Sequence, residues 1–263
     1  MQRVWIYLNK FKKMIVKNLI KFPILKRLIP SVFKKYIFFT GNYLREKKIN
    51  KILYYLDTRH LIDRNFYLRE NYEDELFLSA KNLIILNKIN YFLDIGCCWG
   101  IYSLRLSNIP KLKILSFDPI KKNIIRFLKM IKKNNIKNIK VFNHALGEKK
   151  GKVKLYGLEE YTPNYSIHGK KTQNIHVSKI KRLDETIKIK NKVLYFKVDI
   201  EGHEYPFLKG ANKILSENKV ILQIEVFKKN KKKVFQYLKK NKFNLFKNAD
   251  TDFFFSNFKI KKF

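Results

Sequence analysis

The chain has few cysteines and no long uninterrupted apolar run. Its 263 residues contain only two cysteines, Cys97 and Cys98, and these are adjacent. Two neighbouring thiols supply neither a disulfide framework nor a metal site, so the chain fits a reducing compartment and we expect a cytoplasmic location. No apolar stretch is long enough for a membrane-spanning helix. Lysines interrupt the first apolar stretch repeatedly, which argues against a secretory signal.

Acidic residues are also scarce, with 21 Asp and Glu against 58 Lys and Arg, giving a formal net charge of +37. Three explanations stay open. A basic face would attract nucleic acid or anionic lipid. Alternatively, the lysines follow from coding bias, because Ile, Lys, Asn, Phe and Tyr are all abundant and all have A/T-rich codons. The basic residues are dispersed along the whole chain, which gives coding bias the most weight.

What remains is a chain of ordinary globular composition, with 46% hydrophobic residues. This length accommodates one α/β domain with a large core plus an extension. We predict a basic, mainly helical N-terminal extension over residues 1–60 and the α/β domain over 61–263. Strands and helices alternate in the second part, which predicts a doubly wound, mostly parallel sheet with an antiparallel edge strand pair.

The N-terminal 22 residues have the pattern of a basic amphipathic helix ending before Pro23. Its apolar face would carry Val4, Leu8, Phe11, Ile15, Leu19 and Phe22, and its opposite side Lys10, Lys13, Lys17 and Lys21. Such a helix suits peripheral contact with anionic lipid at the inner membrane surface. Packing against the main domain or a second subunit is the alternative.

The most informative stretch is YFLDIGCCWG, residues 91–100. An apolar strand ends at Asp94 and a turn with Gly96 and Gly100 follows, so the order is D-x-G-x-x-x-G rather than the dinucleotide pattern G-x-G-x-x-G. A carboxylate at this point would repel a pyrophosphate, which disfavours an NAD-dependent oxidoreductase. It suits a ligand with a cationic amino group, such as the methionine part of S-adenosylmethionine.

A second acid follows at the spacing expected for a ribose contact. The run KILSFDP ends the next strand at Asp118, where a carboxylate can accept hydrogen bonds from ribose hydroxyls. His144, Asp199 and Glu225 also fall at or near strand ends. Ligands of such sheets bind at the carboxyl ends of the strands, so these side chains are expected to converge.

Six blocks of the sequence resemble the FkbM-type methyltransferases, which have the class I S-adenosylmethionine-dependent fold. In order along the chain, these blocks are FLDIGCCWGIYSL, SFDP, FNHALG, RLDE, FKVDIEGHEYPFLKGA and QIEVF. The resemblance covers roughly residues 70–227. Two departures stand out. Cys97, Cys98 and Trp99 replace the small or polar residues usual in the first turn, and Asp118 stands where the family often has Glu, so its reach is shorter.

The resemblance implies an S-adenosylmethionine-dependent O-methyltransferase, acting on a hydroxyl of a sugar, a glycan or a small metabolite. The cofactor's methionine end would be lined by Asp94, Gly96 and Gly100, its ribose held by Asp118, and its adenine would lie near Asn143 and His144.

The block DIEGHE concentrates the candidate catalytic groups Asp199, Glu201 and His203. A hydroxyl acceptor has a high pKa, so a general base would assist transfer. Asp199 is expected near the reacting methyl, with Glu201 or His203 taking the proton. A divalent cation on Asp199 and Glu201 is the alternative. For Glu204 we favour a cap or an ion pair over catalysis.

Two other functions stay open. RNA 2′-O-methylation would suit the charge, whereas base methylation is disfavoured because DIEGHE stands where an Asn/Asp-Pro-Pro-aromatic tetrad is usual. The other is a membrane-associated binding protein on a degenerate methyltransferase domain. Residues 157–180, which include His168 and His176, are expected to form a loop covering the site.

Overall fold

The computed structural model describes residues 23–157, 165–169 and 174–261. The chain divides into two compact units, Met1–Asp74 and Glu75–Phe263. The amphipathic helix predicted over residues 1–22 lies outside the described residues, and the domain boundary predicted after residue 60 stays a prediction. Within the described residues, no helix is both long enough and apolar enough to cross a membrane.

Among the described residues of the first unit are two helices and a hairpin, and the sequence analysis did not predict the hairpin. Helix α1 (Pro23–Thr40) precedes strands β1 (Leu44–Ile49) and β2 (Ile52–Asp57), and helix α2 (Leu61–Arg69) follows. The expectation of a mainly helical extension is therefore wrong for residues 44–57. Side chains of β2 alternate between buried and half-buried, the period of a strand. Asn50 and Lys51 both have positive φ, as two-residue hairpin turns require.

The second unit is built on a seven-stranded sheet. After helix α3 (Asp74–Leu86), its strands are β3 (Tyr91–Ile95), β4 (Lys113–Phe117), β5 (Ile139–Phe142), β10 (Val193–Val198), β11 (Lys219–Glu225), β12 (Asn244–Ala249) and β13 (Asp252–Ser256). The sheet order is β12-β13-β11-β10-β3-β4-β5. Neighbours from β5 to β11 pair in parallel, whereas β13 pairs antiparallel with β11 and β12. This confirms the predicted doubly wound sheet with an antiparallel edge pair.

The described part of this unit contains six further helices: α4 (Ile101–Leu106), α5 (Lys121–Lys133), α6 (Leu183–Thr186), α7 (Glu204–Gly210), α8 (Asn212–Ser216) and α9 (Lys228–Lys240). The central strands β10 and β11 are buried almost throughout, as strands covered on both faces should be. The strand order reverses between β3 and β10. Such a switch point opens a crevice at the carboxyl ends of the strands, where ligands of this architecture bind.

Two expectations about the chain course are wrong. The helical pattern of residues 63–87 predicts a single helix, but Glu70 adopts a left-handed conformation with φ 62° and ends α2. Residues 157–180 are not simply a loop, because they contribute to a second, four-stranded sheet. Its members are β6 (Ala145–Leu146), β7 (Gly151–Gly157), β8 (Tyr165–Ser166) and β9 (Ile175–Lys181), in the order β6-β9-β7-β8.

Candidate active site

The turn after β3 is packed directly against the end of β10. Gly96 has φ 81°, and the backbone amides of Gly96 and Cys97 both donate to the carbonyl of Phe117, at 2.9 and 3.0 Å. A Cβ on Gly96 would lie 1.8 Å from the backbone oxygen of Asp199. Only glycine fits here, so the spacing of the motif brings the ends of the two switch-point strands into contact.

Gly100 marks the start of α4 and is confined by a different neighbour. It has φ 82°, and a Cβ there would lie 2.3 Å from the ring of Phe127. Trp99 beside it is only 1% exposed, and the guanidinium of Arg126 lies 4.4 Å from its ring centre. The bulky residue that departs from the family pattern is therefore accommodated in the core.

Asp94 is a buried carboxylate at the end of β3. Its Oδ2 accepts a hydrogen bond of 2.5 Å from Ser103 Oγ, which also lies 2.8 Å from Ser116 Oγ. Burial raises the pKa of Asp94 to about 6, and the ammonium of Lys197 limits that rise. A cation that binds beside a buried carboxylate with a raised pKa stabilises the ionised form of that carboxylate.

Asp118 holds the loop around it as well as facing the site. Its Oδ2 accepts from the Cys98 amide at 3.0 Å, and its Oδ1 accepts from the Ile120 amide at 2.8 Å. Burial raises the pKa of Asp118 to about 7 despite these bonds. The Asn143 side chain donates to the backbone oxygens of Asp118 and Pro119, both at 3.0 Å. Asn143 thus fixes the loop that carries Asp118.

His144 presents one ring nitrogen that has no partner. Its Nδ1 lies 3.0 Å from the carbonyl oxygen of Ala145, which can only accept, so Nδ1 carries the proton and Nε2 is a bare acceptor. Nε2 is buried without a hydrogen bond in the part of the chain that the structure describes. Burial lowers the pKa of His144, which keeps the ring neutral. A buried acceptor without a donor calls for a ligand N–H or O–H.

Lys197 and Asp199 form a partly buried ion pair at the carboxyl end of β10. Lys197 Nζ donates to Asp199 Oδ2 at 3.0 Å and lies 5.0 Å from the ring centre of Tyr102. Burial raises the pKa of Asp199, but Lys197 and a hydrogen bond from Glu225 outweigh it, so the net pKa lies below its usual range. Asp199 is therefore a fixed negative charge and a poor base.

Glu201 lies in a tight turn after β10 and is half-buried. Its φ of 52° is unusual for a residue other than glycine, and its carbonyl accepts from Ser166 Oγ at 2.8 Å. Burial, followed by the negative charges of Asp199 and Glu204, raises the pKa of Glu201. Backbone strain and a raised pKa together favour a functional role.

Glu204 belongs to the frame of this turn. It is almost fully buried, its Oε1 accepts from the Gly202 amide at 2.7 Å, and its Oε2 lies 3.4 Å from the side-chain amide of Asn230. These contacts hold the turn before the helix, and the cap or ion pair that we favoured over catalysis stays a prediction.

His203 is paired with a second histidine. Its Nδ1 lies 3.2 Å from Nε2 of His168, whose segment also provides Ser166. Burial lowers the pKa of His203 to about 4, so the ring is neutral at physiological pH. Its Nε2 is buried beside Gly147 and has no hydrogen bond among the described residues. A third histidine, His176, has its Nε2 3.0 Å from the carbonyl oxygen of Pro119, in the loop after β4.

The structure thus gathers the predicted residues at the carboxyl ends of β3, β4, β5 and β10. Sequence reasoning missed Lys197 and Ser103, which hold Asp199 and Asp94. A lysine inside the apolar run VLYFKV was the available signal, because a buried lysine needs a charged partner. No group of three or more metal-binding side chains occurs among the described residues. The Lys197 ammonium on Asp199 also disfavours the divalent cation considered from sequence.

The RLDE, FNHALG and LKGA blocks form a structural frame around the site. A Cβ on Gly210 would lie 2.0 Å from the backbone oxygen of Gly147. Arg182 donates to the carbonyls of Glu148 and Lys209, at 2.6 and 3.2 Å. These motifs therefore tie the loop after β6 to helix α7.

Comparisons with known proteins agree with this arrangement. The model of the methyltransferase FkbM domain matches residues 102–245, which include Asp118, Asn143, His144, Asp199, Glu201 and His203. The curated proteins compared with the chain gave no match.

Three solved structures illustrate the similarity. The precorrin-6y C5,15-methyltransferase of Geobacter metallireducens GS-15 is 10% identical, with coverage of 69% of this chain and 87% of its own and a TM-score of 0.43. An rRNA methylase of Streptococcus thermophilus is 12% identical, and the match covers 69% of this chain and 92% of the methylase with a TM-score of 0.43. TYW2 of M. jannaschii, in complex with AdoMet, is 11% identical, and the match covers 81% of this chain and 84% of TYW2 with a TM-score of 0.46.

The family model spans more than half of the chain, and the residues it matches fold into the sheet and strand ends described above. The chain therefore belongs to the FkbM family of S-adenosylmethionine-dependent methyltransferases.

Proposed function

We propose that this chain is an O-methyltransferase that transfers the methyl group of S-adenosylmethionine to a hydroxyl of a sugar, a glycan or a small metabolite. The observation that carries the proposal is the strained turn after β10. It carries Glu201, whose pKa is raised in part by the charge of Asp199, and neutral His203 two residues further on. Groups able to take a hydroxyl proton thus stand at the crevice where such sheets bind ligands.

The residues of the crevice suit the chemistry of the cofactor. Asp94 would pair with the methionine ammonium, and Asp118 would accept from the ribose. Asp118 already accepts from the Cys98 and Ile120 amides, so we expect one hydroxyl contact rather than two. His144 Nε2, a buried acceptor without a donor, would accept from the exocyclic amino group of adenine. When bound, the cofactor supplies an electrophilic methyl on a sulfonium.

The chain's own residues would orient the acceptor, exclude water and receive one proton. Asp199 holds a fixed negative charge near the developing reaction centre, and Glu201 Oε receives the hydroxyl proton as the oxygen attacks. Most of the rate would come from aligning the two reactants, since effective molarities of well-oriented groups are large. The segment 165–169, held to the turn through Ser166 and His168, would shield the site.

Glu201→Gln is expected to leave S-adenosylmethionine affinity within about twofold and to lower the methyl-transfer rate about 10²-fold, since a positioned base contributes about 10²–10⁴-fold. Because its pKa is raised, wild-type transfer should fall as the pH decreases through that pKa, and the variant should lose this limb. Calorimetry and rates with screened hydroxylated acceptors measure both. Glu185→Gln, on the exposed side of α6, is the control. Equal rates in wild type and E201Q would exclude Glu201 as the base.

We also propose peripheral contact of the first unit with anionic lipid. Helix α1 exposes Leu28, Val32, Tyr36 and Phe39 at steps of four, four and three residues, and Phe39 is 92% exposed. This spacing puts them on one face. Lys34 and Lys35 are exposed on the same helix, which has no acidic residue. The chain's positive charge complements an anionic bilayer, so this partner suits an apolar face with flanking lysines.

The double variant Val32→Ser/Phe39→Ser should bind phosphatidylglycerol vesicles about 30-fold more weakly than wild type, because each of the two lost apolar side chains removes about 1 kcal/mol of burial. Vesicle flotation measures this. The control variant Ile125→Ser, which replaces an exposed residue of α5, should bind the vesicles as wild type does. Binding that is equal in all three proteins, or equal on neutral phosphatidylcholine, would contradict the proposal.

A further inference from the structure

Two carboxyl groups meet at the ends of neighbouring strands, and the proposed function gives a role to only one of them, Asp199. Strands β10 and β11 are parallel, with Val198 opposite Ile224. The next residues, Asp199 and Glu225, therefore lie at the same level of the two strands, and their carboxyl groups are within hydrogen-bonding reach of each other.

Each carboxyl also has a partner that fixes its orientation. Lys197 Nζ donates to Asp199 Oδ2 at 3.0 Å, and Thr251 Oγ1 donates to Glu225 Oε1 at 3.0 Å. Two ionised carboxylates can only accept hydrogen bonds. The contact between Asp199 and Glu225 therefore requires one shared proton.

The surroundings decide which group keeps that proton. Lys197 stabilises the ionised form of Asp199, while burial, and next the charge of Asp199, raise the pKa of Glu225 to about 8. The charge of Asp252 also raises the pKa of Glu225, and the charge of Asp199 raises the pKa of its neighbours Asp94, Glu201 and Glu204. All of these are acids, so they oppose a second negative charge on the pair.

We propose that Glu225 is a positioning residue that donates its carboxyl proton to Asp199 and, together with Lys197, fixes the Asp199 carboxylate at the switch point. The inference rests on the proposed function, because Asp199 is placed there beside the reacting methyl. One consequence concerns catalysis. Asp199 stays ionised and oriented at neutral pH, so the proton of the acceptor hydroxyl passes to the Glu201 side of the turn.

Carboxyl-¹³C NMR of the full-length chain labelled at glutamate Cδ tests the shared proton directly. At pH 7 we expect one glutamate resonance at the position of a protonated carboxyl, titrating with a midpoint near pH 8. It should be absent in Glu225→Gln and unchanged in the control Glu46→Gln, which alters an exposed strand residue. In Asp199→Asn the midpoint should move to lower pH, because the neighbouring negative charge is gone.

The outcomes separate this inference from the proposed function. A Glu225 resonance that titrates below pH 6, or that keeps its midpoint in D199N, would overturn the pairing. S-adenosylmethionine binding is measured on the same samples. Glu225→Gln, whose amide still donates to Asp199, should bind within about threefold of wild type, and Glu225→Ala should bind more weakly. A wild type that binds no cofactor but shows the midpoint near pH 8 would refute the function and leave the pairing intact.

A second readout does not depend on NMR assignment. The folded-state pKa of Glu225 lies above its unfolded value, so the native state binds more protons between these two values and stability falls as the pH rises through that window. E225Q removes this contribution. Relative to wild type, its urea midpoint should therefore increase between pH 5 and pH 8.5. A difference that stays constant over this range would contradict the raised pKa.

Discussion

Replacing Gly96 with alanine is expected to abolish S-adenosylmethionine binding and to lower the thermal midpoint by about 5 °C or more. The left-handed conformation alone costs an alanine about 1–2 kcal/mol, and about 1 kcal/mol corresponds to a few degrees in a chain of this size. The new Cβ would also lie 1.8 Å from the Asp199 backbone oxygen. Because this neighbour is backbone, no side-chain rotation relieves the clash, and the β3 turn must separate from β10.

Gly41→Ala is the matched control for conformational strain. Gly41 has φ 64°, but a Cβ there meets no atom within 4 Å. The Gly41→Ala variant should therefore lose the stability that a left-handed alanine costs and keep wild-type affinity for the cofactor. Differential scanning calorimetry and ligand titration measure both effects. If G96A bound the cofactor as well as wild type, the turn would not be part of its site.

Asp94→Asn should weaken S-adenosylmethionine binding about 10–100-fold, since a hydrogen bond to a charged group contributes about 1.5–3 kcal/mol. The substitution keeps the shape and removes the charge that would pair with the methionine ammonium. In wild type, the affinity should fall as the pH decreases below about 6, because Asp94 then becomes protonated. The variant should lack this dependence, and isothermal titration between pH 5 and 8 tests both statements.

Asp250→Asn serves as the control for Asp94→Asn. Asp250 is an exposed turn residue with φ 54°, a conformation that asparagine tolerates well. It should retain wild-type affinity and pH dependence. An unchanged affinity in D94N, with its fold intact by circular dichroism, would remove Asp94 from the cofactor site.

The sheet of the second unit was predictable because its central strands, β3, β4, β10 and β11, are largely buried. Such strands are continuous apolar runs, and each ends in a polar residue or a turn, as at Asp94, Asp118 and Asp199. The same rule located the candidate site, since parallel strand ends converge. Helix α9 (Lys228–Lys240) can also be recognised in the sequence, because its lysines and apolar residues follow the helical period.

Other features depended on contacts that are distant in sequence. Strand β9 has few apolar residues and pairs antiparallel with β7, so its identity depends on that partner. A glycine in a helix normally weakens it, whereas the lack of a side chain at Gly210 allows close packing against Gly147. The pairing of Glu225 with Asp199 requires the register of β10 and β11, which no local pattern encodes.

The central claim is best tested by calorimetric titration of the purified full-length chain with S-adenosylmethionine, S-adenosylhomocysteine and NAD. The account predicts that the two sulfur ligands bind and that NAD does not, because the Asp94 carboxylate would repel its pyrophosphate. Binding of NAD without the sulfur ligands, or binding of none of the three by folded protein, would contradict it.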